Sequence, residues 1–130
     1  MKSFLVVFLG AGIGGALRHG VNFAALRLLG PGFPHGTITV NIVGSLIMGL
    51  LVGWFAHKAD PGMTWRLFLT TGILGGFTTF SAFSLDAALL FERGQVVLAV
   101  FYALASPVLA ISSLFAGLWL IRGIAAGGVP

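Results

Sequence analysis

The sequence predicts an all-α membrane protein with four transmembrane helices, and three observations carry that expectation. Of 130 residues, 58% are hydrophobic and only 8% are charged. Soluble domains carry about a quarter charged residues to keep their surface wet. Mean hydropathy is +1.07. The basic residues lie singly, at the ends of long apolar runs. That spacing is the pattern of helix-end anchors rather than of a nucleic-acid surface, despite a pI near 10.9. There is no cysteine, which excludes disulfides and thiolate metal sites.

Along the chain, Ser3 to about Leu28 reads as a first helix, with Arg18 snorkelling or facing an aqueous cavity. A signal peptide is the competing reading, because Lys2 precedes an apolar stretch. No clean A-x-A-like cleavage site follows it, and no exportable domain. Gly30-Pro31-Gly32-Phe33-Pro34 ends the helix. The second span, Gly36 to Ala56, has 21 residues without a charge, which reaches about 31 Å at helical rise. Trp54 near its end suits an interfacial belt. A turn over His57-Lys58-Ala59-Asp60-Pro61-Gly62 follows. The third span lies between Arg66 and Asp86, and the fourth, Gly94 to Ile121, should kink at Pro107. The whole is a single domain, residues 1–130.

Gly10 and Gly14, and Ser45, Gly49 and Gly53, recur every four residues. They put small residues on one helix face, which lets backbones approach closely. Lys2, Lys58, Arg66 and Arg122 fall on one side of the membrane and Arg18, Arg27 and Arg93 on the other. Four against three is too small a bias to fix an orientation. Insertion both ways, and an assembly of two chains, are the economical readings.

No enzyme or metal chemistry is legible. His19, His35 and His57 are far apart and near span ends. Asp60, Asp86 and Glu92 also fall at or near span ends, so a proton relay lacks its usual carrier. The informative stretch is Thr70 to Ser84, TTGILGGFTTFSAFS. Gly75-Gly76 followed by Thr78, Thr79 and Ser81 reads either as a helix break or as a hydroxyl-rich packing helix. Freed carbonyls at a break can hold a cation. Phe80 and Phe83 are three apart, on one helix face. Their ring edges are the positive part of the quadrupole, suited to a small anion. Asn41 can donate to an anion or bond across helices. Tyr102, Ser106 and Ser113 share a face in the fourth span, with Ala110 interrupting it. No specific role is legible for Ser81, Ser84, Ser112 or Ser113.

Three segments taken together are recognisable. Gly14-Gly15-Ala16-Leu17-Arg18, then Gly36-Thr37-Ile38-Thr39-Val40-Asn41-Ile42-Val43-Gly44-Ser45, then Gly72-Ile73-Leu74-Gly75-Gly76-Phe77-Thr78-Thr79-Phe80-Ser81-Ala82-Phe83 resemble the Fluc (CrcB-like) fluoride channel family. The resemblance covers the first three spans in order. It implies a third helix that is broken, an antiparallel dual-topology homodimer, and passive fluoride export across the prokaryotic inner membrane. Carried onto this chain, it implies that Phe80 and Phe83 line the path with their ring edges. Asn41 would donate to the ion, Tyr102 and Ser106 would form a polar track, and Arg18 would make the vestibule positive. The backbone carbonyls of Gly75 and Thr78, from two subunits, would hold a structural sodium ion at the dimer centre. Ala110 departs from the track and leaves its far end in doubt. Two other classes compete: a small multidrug-type proton antiporter, which needs a membrane-embedded carboxylate, and a non-conducting assembly subunit.

Overall fold

The computed structural model describes residues 1–127; the last three residues of the expected domain lie outside that range. Four helical spans are present, and no strand occurs among the described residues. We number the helices α1 (Lys2–Leu29), α2 (His35–His57), α3 (residues 63–77), α4 (Ser81–Glu92) and α5 (Val96–Gly127). The third span is α3 and α4 together.

The expected spans hold to within a few residues at most ends. α2 extends the predicted span by one residue on each side, and α5 passes Arg122 and reaches Gly127. A lipid boundary is not a helix boundary, so charge marks where lipid ends rather than where the helix does. Gly30 closes α1 at φ 78°, a left-handed conformation that glycine adopts without steric cost, while its N–H donates to the Leu26 carbonyl at 3.1 Å. α5 continues through Pro107.

Helix contacts are made by small residues, as expected. A Cβ added at Gly10 would lie 2.8 Å from the Gly72 Cα, and one at Gly76 would lie 2.9 Å from the Ala11 Cα. At Gly49 an added Cβ would collide with the Leu114 carbonyl, and at Gly53 it would lie 3.1 Å from the Ile121 Cβ. Backbones therefore meet almost directly, the packing that lipid favours because burying apolar side chains brings no gain there. The α2–α5 contacts advance in the same direction along both helices, so these two run parallel. From Leu67 to Leu74, α3 is wound as a π-helix. This wider turn is uncommon, and it is frequent at functional sites.

Few large side chains are fully enclosed; Tyr102, Val40 and Ser106 are the largest. Only 22% of the most apolar window of α2 is buried within the chain. Lipid or another protein surface must cover the rest. Tyr102 joins Leu90 and Ala99 in a small core, with Phe33 and Phe83 against it.

Candidate functional site

The third span is interrupted, but not where the glycine pair suggested. Gly75 is helical, at φ −62° and ψ −37°. Gly76 is drawn against Ala11 of α1, so the pair serves close packing. The chain leaves the helix at Thr78, at φ −82° and ψ 159°, and resumes at Ser81. What holds the gap open is Asn41 of α2. Its Nδ2 donates to the Thr79 carbonyl at 2.9 Å, and the Thr79 N–H donates to its Oδ1 at 2.8 Å. The side-chain amide thus takes the place of the helix bonds that Thr79 gives up, as backbone at membrane depth requires. The Thr79 hydroxyl accepts from the Ala82 N–H at 3.1 Å and starts α4. No donor within the described chain reaches the Gly75 carbonyl. The Thr78 carbonyl accepts only a long 3.4 Å bond from an Arg18 Nη1.

Of the two readings of Arg18, snorkelling gives way to the inward one, since its guanidinium is turned to the break. Asp86 departs from expectation. It was read as a span-end acid, yet the third span continues to Glu92. Asp86 Oδ2 accepts from the Tyr102 hydroxyl at 3.1 Å. With Asn22, His35, Thr37 and Arg93 it lines a cavity of about 320 Å³ at the end of the bundle where α1 meets α2.

Phe80 was expected on one helix face with Phe83, but it lies in the break, immediately before α4. The two rings still meet, with centroids 5.5 Å apart and tilted by 50°. Phe83 in turn stands 5.2 Å from the Tyr102 ring. Phe80 is 77% exposed, an unusual place for an aromatic ring beside a broken backbone.

Beside these rings runs a groove of about 370 Å³. Asn41, Ser45, Phe80, Phe83, Ser106 and Ala110 line it, with the Thr78–Thr79 backbone at its side. None of its lining residues is charged. Asn41 spends one of its two N–H donors on Thr79 and keeps the other. Of the residues expected along a path, Asn41, Phe80, Phe83 and Ser106 share this groove. Tyr102 lies behind Phe83, and Arg18 lies behind the break. A groove that offers amide and hydroxyl donors and phenyl edges, without a full charge, can solvate a small anion without trapping it.

The family model described as CrcB-like protein, Camphor Resistance (CrcB), matches residues 5–118. The chain belongs to the CrcB family. Among curated relatives, the Fluoride-specific ion channel FluC of Methylobacterium nodulans is 61% identical over 122 residues, 94% of this chain and 98% of the relative. The protein of the same name from Rhodopseudomonas palustris is 58% identical over the same shares. That of Granulibacter bethesdensis is 54% identical over 98% of this chain and the whole of the relative. This CrcB chain is thus an integral membrane protein of the bacterial inner membrane, matched in length as well as in motif.

Sequence reasoning missed three residues of the site. Thr79 and Asp86 are defined by partners remote in sequence, Asn41 and Tyr102. Ser45 was read only as part of a small-residue stripe. Its signal was available, since it follows Asn41 by one helical turn.

Proposed function

We propose that this CrcB chain is a fluoride-specific ion channel that lets fluoride leave the cell passively, assembled as an antiparallel homodimer. Fluoride enters cells as its weak acid and is trapped when that acid ionises; a passive pathway for the ion relieves the accumulation. The observation that carries the reading is near-full-length likeness, up to 61% identity among the relatives compared, to proteins named Fluoride-specific ion channel FluC. The uncharged groove beside the break agrees with it, since conduction needs ligands good enough to admit an ion and weak enough to release it.

Assembly with a second copy is supported by what one chain leaves open. Phe80 is largely exposed, and Gly75 is exposed with its carbonyl lacking a donor. A carbonyl facing lipid costs several kcal/mol. Dual topology rests on the small charge bias. Four lysines and arginines on one side against three on the other do not fix one orientation.

A structural sodium ion fits the same reading. The Gly75 and Thr78 carbonyls of two copies would give four oxygens, the ligand type a hard cation prefers. Bound there, the ion would supply positive charge to otherwise unsatisfied carbonyls. The guanidinium of Arg18 beside the Thr78 carbonyl opposes a cation, so such a site should exchange its ion readily.

The test is growth. A bacterial strain lacking its own fluoride exporter should regain fluoride resistance when it makes this chain, and should not when it makes Phe80→Ile/Phe83→Ile at equal membrane abundance. Resistance that is absent with the wild-type chain would contradict the proposal.

A further inference from the structure

Helix hydroxyls in this chain commonly bond back to the carbonyl four residues earlier. Thr39, Thr70, Thr78, Ser84 and Ser113 all do so, at 2.6, 2.7, 2.9, 2.9 and 2.8 Å. A hydroxyl has one proton, and back-bonding uses it. Ser45 and Ser106 behave differently. Both line the groove, and neither is within hydrogen-bond reach of a partner among the described residues. Their protons remain free to be donated into it.

The register of α2 against α5 says where each hydroxyl stands. The two helices are parallel, and Gly49 meets the Leu114 carbonyl. One turn back from that contact, Ser45 faces Ala110, and a further turn back Asn41 faces Ser106. All four line the same groove. At the level of Asn41 and Ser106 both walls are polar. At the next level α5 offers only a methyl group, and the single donor is on α2.

We propose that Ser45 is a pathway residue, donating its hydroxyl to the passing anion at the level where α5 presents Ala110. The polar track that breaks on α5 thus continues on the opposite wall. The inference rests on the fluoride reading above.

The test is fluoride efflux from proteoliposomes, measured for wild type, Ser45→Ala, and Ser45→Ala/Ala110→Ser. Alanine suits a helix interior, and elution volume of the purified protein checks assembly. Because a hydrogen bond to a charged group is lost, Ser45→Ala should slow efflux on the order of tenfold. Moving the hydroxyl across the groove with Ala110→Ser should restore it to within about threefold of wild type, applying the same hydrogen-bond magnitude. A purely packing role for Ser45 would not be rescued from the facing helix. Unchanged efflux in Ser45→Ala, or a loss that Ala110→Ser leaves untouched, overturns the proposal. Wild type that moves no fluoride overturns the channel reading itself, a distinct result.

Discussion

Asn41 is expected to stabilise the break as well as to face the groove, and Asn41→Ala separates these roles by magnitude. The substitution removes both bonds to Thr79, at 2.9 and 2.8 Å. It leaves one N–H and one C=O without partners at membrane depth. Each such buried group costs about 1–3 kcal/mol, so the two together would cost roughly 2–6 kcal/mol. Water entering from the adjacent groove offsets part of this, which places the expected loss in the lower half, about 2–4 kcal/mol. In detergent, where Trp54, Trp65 and Trp119 report unfolding by fluorescence, Tm should fall on the order of 10 °C. Asn41→Asp keeps the acceptor for the Thr79 N–H but sets a carboxylate oxygen against the Thr79 carbonyl at membrane depth, and should be at least as destabilising as alanine. The same negative charge beside the groove should abolish fluoride flux by like-charge repulsion. If Asn41→Ala unfolds within about 1 °C of wild type, less than one net hydrogen bond is worth by the same scaling, the clamp is not what holds the break.

Glycine replacements should divide by location. Gly76→Val cannot be accommodated against Ala11 and should prevent accumulation of folded chain in membranes, whereas Gly75 has room, an added Cβ there lying 3.6 Å from the Thr70 carbonyl oxygen of its own helix. Gly75→Val should therefore leave a folded chain that fails to dimerise or conduct, seen as a shifted elution volume. Thr78→Ser keeps the carbonyl and the back-bonding hydroxyl, and should conduct like wild type in the same flux measurement. Exchanging sodium for a large organic cation should lower the Tm of the purified protein, and returning sodium should restore it; an identical Tm in both buffers would remove the sodium site. Tyr102→Phe, which takes the 3.1 Å donor from Asp86, should cost about 1 kcal/mol in detergent unfolding.

The spans were legible because lipid imposes one rule on long stretches, and α2 shows it with ends displaced by a single residue. Glycines and hydroxyls concentrated in one span left a break and a packing helix both open, and the family resemblance favoured the break. The position of the break was not legible, because a local reading assigns flexibility to Gly75-Gly76. There the backbone is helical, and the break lies where Asn41, far away in sequence, captures Thr79. Asp86 was assigned by its distance from an apolar run end and Arg18 was left between snorkelling and facing inward, because position in the sequence says nothing of the direction in which a side chain turns. Ser45 was hidden by its resemblance to a packing residue. Only the parallel register of α2 and α5, fixed by Gly49 and Gly53, sets it opposite Ala110.

The most direct measurement of the central claim is ion efflux from liposomes containing the purified chain, followed with a fluoride electrode and a chloride electrode under the same potassium-driven gradient. Rapid fluoride release, chloride retention and no release from protein-free liposomes are the predicted result. Fluoride release no faster than from protein-free liposomes, or chloride released as fast as fluoride, would contradict the account.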